Sequence, residues 1–300
     1  MKPQPSNSWL PLYCALGVVW GCSFIFIKLG LEFLTPFGVA FGRCLLGAVT
    51  LIVIVLSRKL NFPRQLKIWL HLWFVSFLLN SIPGVLFALA ETKVTSILAG
   101  ILNATTPLMT IAVIFIAFRE EKPKAHHIVG LVVGAVGVFV VLGAWEGIGN
   151  NPLWAVGVLL IATLGYGISF PYSRKFIIPL KLEPEVAAAT QLILATVTLL
   201  PFFIVDGYEQ SNPRTSAIIA MAALGIFGSG FAYIWNFRII ERAGSAIAST
   251  VTYVTPVVAV IVGILFLGEN LKWYEPLGGL IVLLGAAISQ GRLNVLLKRA

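Results

Sequence analysis

Residues 96–107 read SILAGILNATTP, and residues 245–256 read SAIASTVTYVTP. Ser96, Gly100, Asn103 and Pro107 match Ser245, Ser249, Thr252 and Pro256 at one constant offset of 149 positions. Intervals of four, three and four put each set on one helix face. A stripe of small and polar residues therefore recurs in two long apolar runs, each ending in a proline that frees a backbone carbonyl one turn back. Two readings of the stripe stand: close packing between membrane helices, or the wall of a cavity. The prolines and the amide of Asn103, placed near mid-membrane depth, favour the cavity, because a polar group there must face protein or water.

The duplication extends outward from this stretch. Trp20-Gly21-Cys22-Ser23-Phe24 answers to Tyr166-Gly167-Ile168-Ser169-Phe170, Pro36 to Pro184, and Gly130 and Gly137 to Gly278 and Gly285. Asn80, Gly84, Phe87 and Glu91 correspond to Ser229, Tyr233, Asn236 and Ile240, and Arg43 to Gln191. The apolar runs predict spans at 9–31, 36–56, 68–90, 95–117 and 125–143, then at 153–174, 184–205, 215–238, 245–267 and 274–291. Each is near the roughly 20 residues that a helix needs to cross a bilayer. Long continuous runs favour helices over an alternating barrel. Five spans per half is an odd number, so the second copy runs upside down relative to the first. The expected fold is an all-α membrane protein of ten transmembrane helices in two inverted five-helix repeats, 1–145 and 150–293, with a tail at 294–300.

Of the 300 residues, 58% are apolar and 11% charged, a composition unlike that of a soluble domain. The net charge of +9 does not point to nucleic acid. Placed on the ten spans with the N-terminus inside, nearly all Lys and Arg fall in cytoplasmic segments, such as Arg58, Lys59, Arg64 and Lys67. Only Lys93, Arg214 and Lys272 fall in outside loops, so the excess is the positive-inside bias, with both termini cytoplasmic. A polybasic lipid-binding role is the weaker reading. The first span reads as an uncleaved anchor. Cys14, Cys22 and Cys44 lie in spans without metal-type spacing, and adjacent His126 and His127 read as a solvated helix end, so neither a metal nor another cofactor is expected.

Trp20-Gly21-x-Ser23-Phe24, the stretch ALAETKVTSILAGILNATTP at 88–107 and AGSAIASTVTYVTPVVAVIVGILFLGE at 243–269 resemble the drug/metabolite transporter superfamily, in its ten-helix EamA-type branch. The likeness covers essentially the whole chain. It departs at Phe118-Arg119-Glu120, where a second Leu-Gly-Glu would be expected. The resemblance implies a basket-like fold in a plasma (inner) membrane and export of amino acids or related metabolites. Members of the family carry aromatic amino acids, threonine and homoserine, or cysteine derivatives, and distant relatives carry nucleotide sugars.

Inverted repeats meeting at the membrane midplane suit alternating access to one site. The candidate substrate-binding residues are Trp20, Arg43, Asn80, Asn103, Tyr166, Tyr233 and Thr252, with Pro107 and Pro256 as hinges. Arg43 lies about 10 Å into its span. A buried guanidinium calls for Glu32 or Glu91 as a partner, a cavity, or a substrate carboxylate. Lys28 is near enough to a span end to snorkel and is given no function. No carboxylate falls at mid-depth of any span, which argues against the usual buried proton relay. The expected protein is a monomer or weak dimer contacting membrane lipid and a small-molecule substrate; Gly130-x-x-x-Gly134 packs either another protomer or a neighbouring span. Multidrug efflux and metabolite uptake are alternatives. A lipid-modifying enzyme would need a clustered nucleophile and His, or paired acids, and none is found.

Overall fold

The computed structural model describes residues 9–118, 125–143, 152–209 and 212–289. The Arg119-Glu120 pair and the tail at 294–300 lie outside the described residues. Helices run over α1 (Leu10–Gly30), α2 (Pro36–Ser57), α3 (Leu66–Glu91), α4 (Ser96–Ala117), α5 (Ala125–Val141), α6 (Leu153–Leu180), α7 (Pro184–Asp206), α8 (Thr215–Ala243), α9 (Ser245–Leu267) and α10 (Tyr274–Ser289). Eight are long and apolar enough to cross a membrane, and α5 and α10 contain shorter apolar stretches. Helices α3, α6 and α8 exceed their expected spans, because each continues past the apolar run into a polar or charged turn. Among the described residues the only extended pairing is one isolated bridge, Leu34 with Tyr208. Large apolar side chains such as Val53, Leu56, Ile204, Val205, Leu265 and Phe266 point outward, as a lipid-facing surface requires.

The connections 31–35, 92–95 and 268–273 share one end of the bundle with the stretch 207–209 after α7, called the upper end below. At that end the Glu209 amide donates to the Phe33 carbonyl and the Thr35 hydroxyl to the Asp206 carbonyl, tying the two halves together. At the lower end Glu185, which opens α7, takes Arg58 from α2 and Arg238 from α8.

The two halves pack around a pseudo-twofold axis. Gly21 lets α1 lie against α9, where a β-carbon would stand 2.5 Å from Val258 Cβ. Gly167 lets α6 lie against α4, where one would stand 2.8 Å from Met109 Cβ. Met109 and Val258 are themselves repeat mates. Helices α5 and α10 pack antiparallel on each other through Gly134, Gly137, Gly278 and Gly285, and a β-carbon at Gly137 would stand 2.5 Å from the Val282 amide nitrogen. The Gly130-x-x-x-Gly134 face thus meets a neighbouring span.

Helices α4 and α9 are broken at matching depths. The first breaks at Ala104-Thr105, and the second narrows to a 3₁₀ turn over Thr250–Tyr253. Pro107 and Pro256 sit just beyond the breaks, where their missing amide hydrogens withdraw a donor from the Asn103 and Thr252 carbonyls. A second symmetric irregularity is the π turn at Phe77–Ser81 in α3, matched by Ile226–Phe231 in α8.

Leu-Gly-Glu at 267–269 closes α9 in a definite way. Gly268 takes a left-handed φ of 62°, which a residue without a β-carbon adopts freely. The chain then turns so that Glu269 accepts the Ser96 amide at 2.8 Å, the Ile97 amide at 3.0 Å and the Ser96 hydroxyl at 2.9 Å. A carboxylate at the orphan N–H groups of α4 is stabilising. The motif joins the end of one half to the stripe helix of the other.

Candidate functional cavity

One cavity lies between the halves, with about 480 Å³ of empty space when its open mouth is included. That is within the range of small-molecule sites. Its wall takes Trp20, Phe24 and Ile27 from α1, Arg43 from α2, Leu79 and Phe87 from α3, Asn103 from α4, Tyr166 and Phe170 from α6, Tyr233 from α8 and Thr252 from α9. Six of the seven residues selected from sequence, namely Trp20, Arg43, Asn103, Tyr166, Tyr233 and Thr252, therefore face one space. Ser23, Phe24, Ile27, Leu79, Phe87 and Phe170 complete it. Phe24 and Phe170, the last residues of the matched Trp-Gly and Tyr-Gly motifs, are legible in the sequence only as a repeat.

Asn80 is placed behind the wall instead. An α-helical period would put Asn80 on the face of Phe87, but the π turn adds a residue to that turn and shifts the register by one. Leu79 faces the cavity, and Asn80 turns toward α7, where its side-chain oxygen accepts from the Gln191 amide.

The π turns also hold the wall. Pro83 cannot donate to the carbonyl four residues back, at Leu79. The Tyr233 hydroxyl fills that vacancy at 3.2 Å. In α8, Gly228 presents its carbonyl to Trp20 Nε1 at 3.2 Å, and Ser229 accepts from Arg43 Nε at 3.1 Å. Three wall residues are thus fixed by irregular turns that a pattern of hydrophobicity does not reveal.

The aromatic side chains meet edge to face, tilted or stacked. Trp20 meets Tyr233 at 6.1 Å between centroids, Phe24 meets Phe87 at 5.6 Å, and Phe87 stacks on Tyr166 at 5.8 Å. Such contacts hold flat apolar surfaces in place. On α4, the Asn103 amide nitrogen donates to the Thr255 hydroxyl at 3.2 Å, and its oxygen accepts from Thr106 at 3.3 Å. One N–H and one lone pair of that amide are left over. Thr252 spends its hydroxyl proton on the Ser249 carbonyl at 2.8 Å.

Arg43 is 7% exposed, and neither Glu32 nor Glu91 pairs with it; among the described residues no carboxylate does. Glu32 instead lies 3.9 Å from Arg214. Ser229 satisfies only one of the five guanidinium N–H groups. The half-buried Lys28 reaches the upper end of the bundle, where its ammonium donates to the Glu91 carbonyl and, at 3.1 Å, to that of Val94, closing the end of α3. No group of three or more metal-type side chains occurs among the described residues.

A family model described as the EamA-like transporter family matches this chain twice, over residues 7–143 and again over 153–290. The chain belongs to the EamA-like transporter family. The double match sets the same family unit on each half of the pseudo-symmetric bundle. Relatives include the uncharacterized inner membrane transporter YedA of Escherichia coli K12, 28% identical with 94% of this chain and 92% of that protein covered. An uncharacterized transporter of Archaeoglobus fulgidus is 29% identical, covering 95% and 99%. YdfC of Bacillus subtilis, also an uncharacterized transporter, is 25% identical, covering 92% and 89%. A solved crystal structure at 19% identity shares the fold with a TM-score of 0.69, covering 97% of this chain and 99% of the other. The EamA-like chain is accordingly a multi-pass membrane transporter and not an enzyme.

Proposed function

We propose that this EamA-like transporter exports small zwitterionic metabolites carrying a carboxylate and an apolar or aromatic side chain, neutral amino acids being the simplest class. The observation that carries the reading is a buried Arg43 without a carboxylate partner among the described residues, set in the wall of a cavity rich in aromatic side chains. A guanidinium in that setting matches a carboxylate in charge and in planar geometry. Trp20, Phe87, Tyr166 and Tyr233 cover the side chain, while Asn103 and Thr252 orient the polar end. Alternating access follows from rocking of the two halves, with Pro107 and Pro256 as the points at which α4 and α9 bend. Both termini lie on the cytoplasmic side of a bacterial-type inner membrane, the upper end faces outward, and the working unit is a monomer or weak dimer. Drug efflux and metabolite uptake can use the same fold, but a buried cation in the wall disfavours the cationic cargo of many efflux systems.

The test is exchange of labelled amino acids in proteoliposomes, with the parent protein beside Trp20→Ala and Asn103→Ala. Saturable exchange of at least one neutral or aromatic amino acid is expected, weakened or lost in both variants. No exchange of any amino acid would overturn the cargo class. Parent-like exchange in both variants would place the site elsewhere.

A further inference from the structure

Glu91 closes α3 one helical turn above Phe87, a wall residue of the cavity. Its side chain is completely buried, and neither carboxylate oxygen has a hydrogen-bond partner among the described residues. The charged groups that act on it are Lys28 from α1, Arg43 from α2 and Glu269 from the turn after α9. Tyr166 of α6 stacks on Phe87, one turn nearer the middle of the bundle. Nothing in the transport reading above uses Glu91.

We propose that Glu91 is a proton-carrying site, loaded and emptied as the cavity changes the side to which it opens. The proposal rests on the transport reading for its coupling, though not for the titration of the site. A carboxylate buried among packed helices with no hydrogen bond to either oxygen is costly to keep ionised, and neutralisation by a proton removes the cost. A metal cation does not fit, because calcium, for example, takes six or more oxygen ligands. The two Glu91 oxygens fall short of that number, and Lys28 already donates to the nearby Glu91 and Val94 carbonyls.

Lys28 also supplies the second state. When Glu91 loses its proton, the neighbouring ammonium is its natural counter-ion, and leaving the Glu91 and Val94 carbonyls for the carboxylate changes how α1 holds α3. The element therefore has two arrangements, one with neutral Glu91 and Lys28 on the carbonyls, the other an ion pair. Lys28 follows Ile27 and Glu91 follows Phe87 by one turn, and both Ile27 and Phe87 form the cavity wall. A change of grip between α1 and α3 is thus transmitted directly to the binding space. The proton enters from water at the upper end when α1 and α3 part there. It leaves to water through the cavity when the cavity opens to the other side.

Two measurements on the full-length protein test this. Infrared difference spectra in lipid nanodiscs, titrated from about pH 5 to about pH 9, follow the carbonyl stretch of a protonated carboxyl. The parent is expected to show a titrating band that Glu91→Gln lacks and Glu91→Asp restores at a shifted frequency. Absence of any difference between parent and Glu91→Gln overturns the proposal, whether or not a transported cargo has been found. In proteoliposomes with the membrane potential clamped at zero, a gradient of about one pH unit should drive up to about tenfold accumulation of an amino acid that the parent exchanges, at one proton per cycle. Glu91→Gln should keep exchange and lose accumulation. Full accumulation by Glu91→Gln overturns the coupling. If the parent exchanges no amino acid, the cargo reading fails, and the infrared titration alone decides whether Glu91 carries a proton.

Discussion

Arg43 Nε donates to Ser229 Oγ across 3.1 Å, joining α2 to the π turn of α8. Its mirror image lies on the other side of the pseudo-twofold axis, where the Gln191 amide of α7 donates to Asn80 on the π turn of α3. The same two backbone positions meet in both halves, but only one pair carries a charge.

Replacing Arg43 separates charge from geometry. Arg43→Met should weaken exchange of a carboxylate cargo by about tenfold or more, the scale of one charge-assisted hydrogen bond. Arg43→Lys should recover only part of it, because an ammonium lacks the planar fork. Half-saturation in exchange assays, read for an amino acid and for its amide, gives the check. Arg43→Met affecting both equally would remove the carboxylate contact from the account.

The broken helices make a kinetic prediction. Pro107→Ala and Pro256→Ala restore an amide donor just beyond the breaks in α4 and α9, which stiffens both. Turnover should fall in each single variant and further in the double, with cargo affinity within about threefold of the parent, a difference under about 1 kcal/mol. Equal turnover in all three variants would leave the prolines a packing role only.

At the α5–α10 seam, a β-carbon at Gly285 would run into the Gly134 backbone. Backbone cannot yield as a flexible side chain does. Gly285→Ala should therefore cost about 1–3 kcal/mol, the usual penalty for overpacking, and lower the thermal midpoint in detergent. Cavity affinity should not change, because no wall residue comes from either helix.

Orientation is open to a labelling experiment. In a cysteine-free background, a cysteine at Lys59 should resist a membrane-impermeant reagent in intact cells and react after lysis, while one at Lys93 should react in both. The reverse pattern would invert the assigned topology.

Much of the fold was legible because lipid imposes long apolar runs and duplication repeats their punctuation. The match of Ser96 to Ser245 and Pro107 to Pro256 was enough to align the halves and bring six wall residues to one space. Hydrogen-bond register was not legible. Hydrophobic periodicity does not show that Phe77–Ser81 forms a π turn, so an α-helical period puts Asn80 on the cavity in place of Leu79. The partners of Lys28 are hidden for a related reason: the carbonyls of Glu91 and Val94 that hold its ammonium lie some sixty residues away in sequence. The resemblance supplied Leu-Gly-Glu as a motif, but its task, a carboxylate set on the start of α4, depends on the meeting of two remote segments.

A cargo in this cavity does not find two equivalent ends. The guanidinium of Arg43 stands about seven residues from the upper end of α2, while its counterpart Gln191, an equal distance from the lower end of α7, is neutral and turned toward Asn80. If the halves rock as proposed, they exchange roles for the backbone but not for this charge. An amino acid bound as proposed would then keep its anionic head pointed the same way throughout the cycle, leaving tail first through one door and head first through the other.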